Sequence, residues 1–404
     1  MIYQLLIRLL APIILIITLL DAVKRKGGWR FVKQRLGFGF PISRPANPKP
    51  IWIHCASVGE VKAIEALVKS QPNQAWLIST NTPTGLQTAQ QLQLPAQTLY
   101  LPLDWPYAIR RVIHAYQPAQ LWVVETELWP NLYQACYQAN IPITLINARL
   151  SRKSLNAPNW LKAQYQACLS RTDRILARSE TEAQRYIHMG ANPDKVQALG
   201  NLKQAGLKNL PVYPRIIERD YVLLASSHQD EERQIAQRWQ QLQRPELLVI
   251  VPRHTKRAAK IQQQLQVAGI DALLADTQPV QPNTSVIIKN TFGELMPLFA
   301  HAELVIMGGS FVPKGGHNFL EPAALGKAII TGPDNSDFAD ELLEFQQNGA
   351  IILCPDYDKL QQRINQLMTN GALRKELGDN ARRTIQNQPD ILQDYLTQLF
   401  VKNG

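Results

Sequence analysis

The feature that most limits how this chain can fold is an alternation. Short apolar runs (IWIHC from Ile51, AWLIST from Ala75, TLYLPL from Thr98, LWVVETE from Leu121, ITLINA from Ile143, RILARS from Arg174) are separated by stretches of helical spacing such as PYAIRRVIHAYQ and PNLYQACYQAN. Runs that are apolar at nearly every position suit strands buried on both faces, and strand–helix alternation gives a parallel sheet covered by helices. A second series follows: YVLLASS from Tyr221, ELLVIVPRH from Glu246, SVIIKNT from Ser285, LVIMGGS from Leu304, AIITGP from Ala328 and AIILC from Ala350. Between the two, KQAGLKNLPVYPRIIERD carries Gly206, Pro211 and Pro214, breaks the rhythm and reads as a linker. A chain of 404 residues exceeds one ordinary core. The expected fold is therefore α/β, with two doubly wound domains facing a cleft. The expected boundaries are an anchor at 1–22, a first domain at 23–205, a linker at 206–218, a second domain at 219–385, and a C-terminal helix at 386–404 that packs back on the first domain.

Charge narrows the partners. A formal net charge of +11 calls for something anionic, either nucleic acid or a lipid surface. Its distribution favours lipid: Lys24, Arg25, Lys26, Arg30, Lys33 and Arg35, interleaved with Trp29 and Phe31, follow directly on MIYQLLIRLLAPIILIITLL. Basic residues beside a hydrophobic segment are drawn to acidic headgroups, and aromatic rings favour the interface. The apolar stretch of about 20 residues would extend roughly 30 Å as one helix. No small-x-small cleavage site follows it, so an uncleaved anchor is expected, with the body of the protein on the cytoplasmic side and no nucleic-acid partner. Cys55, Cys136, Cys168 and Cys354 lie far apart without a C-x-x-C pair, which excludes a disulfide framework and a zinc site and leaves core thiols.

The candidate chemistry sits at strand ends. In WIHCASVGE the turn at Ser57 to Gly59 delivers Glu60 to the carboxyl end of a buried strand, where open α/β sheets place ligands; the alternative is an ordinary first-turn helix glutamate. ETELWPN places Glu125 and Glu127 after another strand, where alternation would turn one inward and one outward. Lys203 is expected to end the last strand before the linker. In the second half, Gly308, Gly309, Gly315 and Gly316 form glycine turns whose amides are expected to hold phosphate. Asn318 is expected to cap a helix, with Glu321 either completing a capping box or accepting from ribose hydroxyls. Ser226, Ser227, His228, Arg253 and His254 emerge at neighbouring strand ends and suit an anion, Arg253 through its planar fork. Neither G-x-G-x-x-G nor G-x-x-x-x-G-K-[ST] occurs, so a dehydrogenase and a P-loop enzyme lack support. Asp356 and Asp358 read as a turn and cap rather than a metal site.

HCASVGE, ETELWPN, INARLS, DEE after the Ser-Ser-His turn, VPRH, FGELM and GGHNFLEPAALG stand in the order and approximate spacing found in the 3-deoxy-D-manno-octulosonic acid (Kdo) transferases of lipopolysaccharide biosynthesis. The chain resembles that family over nearly its whole length. The resemblance implies a GT-B glycosyltransferase with two Rossmann-like domains and an N-terminal membrane-anchor helix. It also implies CMP-Kdo as donor, a lipid A precursor (lipid IVA) as acceptor, an anionic membrane surface as partner, metal-independent inversion without a cofactor, and residence at the inner membrane. By position, Glu60 looks like the general base, and Glu125 and Lys203 like transition-state stabilisers. Pro252 and Arg253, then Phe292, Gly293 and Glu294, then Asn318, Phe319, Leu320 and Glu321 resemble the CMP-binding segments. Departures are local: Ser227 stands where Thr is usual, Gln229 and Asp230 replace an acidic residue and a glycine, and Pro313 and Lys314 are unusual. Two rivals keep parts of the pattern. A nucleotide-sugar 2-epimerase of GT-B fold has no use for the hydrophobic N-terminus, and a non-catalytic, membrane-docked nucleotide-sugar binding protein has no need of Glu60.

Overall fold

Two seven-stranded, all-parallel sheets organise the chain in the computed structural model, which describes residues 2–41, 48–275, 281, 283–290 and 293–400. The first contains β1 (Ile51–Cys55), β2 (Trp76–Thr80), β3 (Ala96–Tyr100), β4 (Gln120–Val124), β5 (Ile143–Ala148), β6 (Arg174–Ala177) and β7 (Val196–Ala198), in the order β3-β2-β1-β4-β5-β6-β7. The second contains β8 (Tyr221–Ser227), β9 (Leu247–Pro252), β10 (Ala272–Leu274), β11 (Val286–Ile288), β12 (Leu304–Met307), β13 (Ala328–Thr331) and β14 (Ile352–Leu353), in the order β10-β11-β9-β8-β12-β13-β14. Every residue of β1, β5, β9 and β12 is buried, as strands covered on both faces require. Burial of each large apolar side chain contributes about 1.5–3 kcal/mol.

The chain divides into two compact units, Met1–Ala205 with Asp390–Gly404, and Gly206–Pro389. In unit 1 the helix Ile391–Phe400 buries Ile391, Tyr395 and Leu399 against β-sheet residues including Ile53, Trp122 and Ile146. The Tyr395 hydroxyl accepts from the Asn147 backbone N–H at 3.1 Å and lies 3.4 and 3.3 Å from the carbonyls of Leu176 and Gly200. In unit 2, Tyr221, Phe299, Phe319 and Phe345 fill one side of the sheet and Trp239 the other.

The order of strands matters for function. Sheet order reverses between β1 and β4 in unit 1 and between β8 and β12 in unit 2, and ligands of open α/β sheets bind at such reversals, outside the carboxyl ends. Each sheet also carries a register shift near its reversal. One lies between Leu145 and Ala148, where Asn147 has φ +50°, and one between Ala225 and Ser227, where Ser226 has φ +57°.

The N-terminus departs from expectation. A single helix of about 30 Å was implied by composition, but the chain forms Ile2–Leu9 and Ala11–Lys24, bent by 61°. Pro12 in the first turn of the second helix is the cause, since proline cannot donate to the turn before it. Among the described residues no single helix is long and apolar enough to cross a membrane; the bent pair passes that test only jointly, by length and composition. The first helix is tied to unit 1 by Tyr3, which donates to Asp104 at 2.6 Å, and by Gln4, which donates to Asn131. All four cysteines are free and buried, and Asp356 caps the helix Tyr357–Thr369, as read from sequence.

Candidate active site

Unit 1 delivers its charged groups along one sheet edge. Glu60 follows β1, Glu125 follows the adjacent β4, and Lys203 lies beyond β7. Ser57 caps the helix Val58–Ala63 through the Glu60 N–H (3.4 Å), and the Glu60 carboxylate in turn accepts from the Ser57 hydroxyl at 3.0 Å and the Ala56 N–H at 2.7 Å. The first-turn reading of Glu60 is thus correct as local structure. It is also incomplete. Glu60 keeps only 7% of its surface exposed, and burial, with Glu125 as the next cause, pushes its pKa up to about 8 against the two local hydrogen bonds.

Glu125 goes the other way. Burial alone would raise its carboxyl, but Lys203 Nζ at 2.8 Å, with Arg149 and Arg178 nearby, holds it below the usual carboxylate range. Glu125 has φ +58°, a conformation that non-glycine residues adopt at a cost and that clusters at functional sites. Two neighbouring carboxylates with opposite shifts are the mark of divided acid–base roles. Lys203 does not end a strand. It lies in a 3-10 turn, Leu202–Gln204, because Asn201 caps that turn through the Lys203 N–H, and Leu202 N–H is bound by the Asn147 side chain at 2.9 Å.

In unit 2, β11, β9, β8 and β12 bring their carboxyl ends side by side. Gly293 (φ +91°) and Glu294 follow β11, with Glu294 paired to Lys289 at 3.0 Å; Phe292 lies outside the described residues. Pro252 closes β9, buried, and Arg253 stands exposed beyond it. His228 follows β8 and His317 follows β12, their Nε2 atoms 2.9 Å apart and their rings nearly parallel, with His254 edge-on to His228 at 6.1 Å. Burial, then surrounding positive charge from Arg253, Arg257, Lys314 and the other histidines, lowers His228 to about 4 and His317 to about 3. These histidines are neutral at physiological pH and edged by cations, which suits an anion that accepts hydrogen bonds.

The glycine loop requires a correction. Its amides do not form an open phosphate cradle, because the buried Glu231 carboxylate accepts from His228 N–H (2.7 Å), Gly309 N–H (2.8 Å) and Phe311 N–H (3.1 Å), and Asp334 takes Gly315 N–H. Gly308 is needed for close approach, since a Cβ there would stand 2.6 Å from Ser227 Cα; Gly309, at φ +69°, would press on the His317 ring. The helix expected at Asn318 starts at Leu320 and runs five residues, so Asn318 makes a local turn onto Leu320 N–H instead of a capping box with Glu321. Phe319 and Leu320 are buried in the core, the Leu320 N–H is bound by the Asn318 side chain and the Phe319 carbonyl accepts from Ala323 N–H. Asp230 has φ +79°, which explains why glycine is usual there in the family it resembles.

Glu231 was invisible in the sequence as a clamp, since an acid in the first helical turn ordinarily reads as a dipole contact. Replacing it by alanine leaves three backbone donors without their acceptor, at about 1–3 kcal/mol each. Glu231→Ala is therefore expected to lower the urea midpoint of unit 2 by the equivalent of at least about 3 kcal/mol. A loss below about 1 kcal/mol would mean that water replaces the carboxylate.

Comparison with known proteins adds lineage to this geometry. Residues 30–205 match the family described as 3-deoxy-D-manno-octulosonic-acid transferase (kdotransferase), and residues 238–384 match glycosyl transferases group 1. The chain is 32% identical to the 3-deoxy-D-manno-octulosonic acid transferase of Haemophilus influenzae, covering 98% of both chains, and 30% identical to that of Bordetella pertussis, covering 94% of both. Among solved structures it is similar to a glycosyltransferase from Rickettsia africae (TM-score 0.62, 16% identity, 88% of this chain and 100% of that one). A UDP-GlcNAc 2-epimerase from Neisseria meningitidis is also similar (TM-score 0.59, 14% identity, 86% and 100%). At these identities the structural likeness speaks to fold, and the fold of the two units is that of GT-B glycosyltransferases.

Proposed function

The chain belongs to the 3-deoxy-D-manno-octulosonic acid transferase family, and from that premise we propose that it moves Kdo from CMP-Kdo to a lipid A precursor, lipid IVA, by direct inverting displacement without a metal ion. The observation that carries the reading is the pairing of Glu60, pushed up to about 8, with Glu125, held ionised by Lys203. A carboxylate of pKa near 8 is a far stronger base than an ordinary one, and general-base efficiency is greatest when the pKa lies near working pH.

The acceptor hydroxyl gives its proton to Glu60 as its oxygen bonds to the anomeric carbon of Kdo, and the bond from that carbon to the CMP phosphate oxygen breaks. One base and no covalent intermediate give inversion. Positive charge develops on the sugar ring as CMP departs, and the fixed Glu125 carboxylate is suited to stabilise it. Within unit 2, Arg253 and Lys314 carry positive charge beside the neutral imidazoles of His228 and His317, a set of groups suited to a phosphate. The epimerase reading has only fold-level support, and the binding-protein reading leaves the opposed carboxylate shifts of unit 1 without a role.

We propose further that the protein sits on the cytoplasmic face of the inner membrane. Leu5, Leu9, Ile13, Ile16, Ile17 and Leu20 of the bent pair are exposed, as are Trp29 and Phe38 beside the basic segment. That combination supports insertion into an anionic interface. Flotation with vesicles containing acidic lipid, and its loss in neutral vesicles at high salt, checks this.

The reaction itself is tested by incubating the full-length protein with CMP-Kdo and tetraacylated lipid A precursor in EDTA, then reading lipid mass and anomeric configuration. Kdo-bearing lipid of inverted configuration supports the proposal. Product that requires added metal overturns metal independence, and absence of product while CMP-Kdo still binds overturns the acceptor.

A further inference from the structure

Of the INARLS stretch, residues 146–151, the chemistry above uses only Arg149, which helps to keep Glu125 ionised. The backbone of the same stretch does more. β4 and β5 run side by side with Val124 opposite Ile146, so Glu125 and Asn147 come next as neighbours at the site-bearing end of the sheet. Both take the left-handed region, at φ +58° and +50°. A residue other than glycine keeps such a conformation only where its surroundings over-determine it. For Glu125 the ladder supplies one restraint, since its N–H donates to the Ile146 carbonyl at 3.1 Å. The Glu125 carbonyl carries two more: it accepts from Arg149 N–H at 3.4 Å and from the Tyr186 hydroxyl at 3.1 Å.

Tyr186 is fully buried and comes from the helix Glu180–Met189. Its hydroxyl also lies 3.2 Å from the Arg149 carbonyl. One turn earlier, the buried Glu182 carboxylate accepts from Leu150 N–H at 2.9 Å. Residues four apart share a helix face. Here they take the two ends of one peptide group, the C=O of Arg149 and the N–H of Leu150, and so register the helix on INARLS with the phenol beside Glu125. Burial, then the charges of Glu182 and Glu125, pushes the Tyr186 phenol well above its ordinary pKa. It keeps its proton, and toward two carbonyls it can only donate.

We propose that Tyr186 is a positioning residue for sugar transfer: its hydroxyl holds the Glu125 backbone in the conformation that sets the carboxylate on Lys203. This deepens the transferase reading and rests on it for the reaction served. Without the hydroxyl, the Glu125 carbonyl keeps only the long bond from Arg149, and the strained residue relaxes. Its carboxylate then leaves the 2.8 Å contact with Lys203. The other groups that face the two carboxylates are Glu127, Ser57 and the Ala56 N–H toward Glu60, and Arg149 and Arg178 toward Glu125. Removing the hydroxyl deletes none of them, so any change in titration is traced to Glu125 and its ammonium.

The test compares Tyr186→Phe, which keeps the ring and loses the hydroxyl, with Tyr221→Phe in the full chain in detergent. Tyr221 is an equally buried tyrosine of unit 2 whose hydroxyl donates to the Leu298 carbonyl at 2.6 Å, far in sequence from the acid pair. Each variant is assayed with CMP-Kdo and lipid IVA below its own melting temperature. A misplacement of about 1 Å costs up to about 100-fold, so Tyr186→Phe is expected to lower kcat about 10- to 100-fold with both KM values as in wild type. Its pH limb broadens, because Glu125 away from Lys203 titrates with Glu60 as a pair. Tyr221→Phe melts early by a similar margin and keeps wild-type kcat and a single limb. In the Lys203→Ala background Tyr186→Phe costs less than about 3-fold further, since the contact it secures is already gone. Wild-type kcat with a single limb in Tyr186→Phe, or full additivity with Lys203→Ala, overturns the assignment while the transferase stands. If wild type transfers no Kdo, the reaction is overturned and the same cycle read in melting temperatures decides Tyr186: losses smaller than additive sustain it, and additive losses overturn it.

Discussion

Glu60→Gln is expected to lose Kdo transfer by about 10²- to 10⁴-fold, the range for removal of a positioned base, while becoming more resistant to heat than wild type at alkaline pH. Both halves follow from one pKa. Glu60 must be ionised to take the acceptor proton, so wild-type kcat/KM rises with pH through about 8 and the variant loses that limb. The folded chain holds the Glu60 proton up to about 8, whereas the unfolded chain releases it near 4.5. Below both values folded and unfolded states are equally protonated. Between them only the folded state is, so wild type loses stability as pH rises through that window. Glutamine is exempt. Its melting temperature should match wild type near pH 4 and exceed it by a margin that widens to pH 8.5, read by scanning fluorimetry across that range. An activity loss with no pH-dependent thermal gain would mean that Glu60 is not the group with the raised pKa.

Lys203→Ala is expected to damage stability and rate together. Lys203 and Glu125 meet at 2.8 Å with side chains 20% and 12% exposed, so removing the ammonium strands a carboxylate that is mostly dry. Breaking such a pair costs about 3 kcal/mol. Loss of fixed electrostatic order at the reacting centre costs about 10²- to 10³-fold in kcat. The shape of the pH profile is the diagnostic. With Lys203 gone, Glu125 and Glu60 titrate as a pair, and the single rising limb of wild type broadens into two steps. Lys203→Arg, which restores charge on a longer fork, should recover more stability than rate. A Lys203→Ala protein with normal kcat and a single limb would remove Lys203 from the mechanism.

The parts of this molecule that could be read from its letters are those whose cause is local. β1, β5, β9 and β12 are legible because both faces of each are covered, which leaves an uninterrupted apolar run. β7 and β10 were missed because each is three residues long and stands at or near a sheet edge, where sheet pairing decides more than propensity. The N-terminal apolar run gave the length of a helix but not the 61° bend that Pro12 imposes. Glu60 satisfied both of its readings at once, because its hydrogen bonds come from its own turn and its pKa from burial and from a different strand. The expectation that alternation would separate Glu125 from Glu127 fails at its root, since residues two apart share a face of a strand; here β4 in any case ends at Val124 and Glu125 stands at φ +58°. The phosphate cradle failed for a related reason, since an acid from a neighbouring turn claims the amides first.

The helix Ile391–Phe400 belongs to unit 1, although the ribosome makes all of unit 2 before it. Translation therefore delivers the pieces of unit 1 in two instalments, and the intervening unit can close on itself first. Until Tyr395 arrives, the backbone N–H of Asn147 and the Gly200 carbonyl lack the hydroxyl that joins them, and Asn147 is the residue that anchors Leu202 next to Lys203. A nascent chain thus has Glu60 and Glu125 but lacks part of the scaffold that holds the turn bearing Lys203. On the proposed mechanism, the scaffold around Lys203 is complete only when synthesis has run through that last helix.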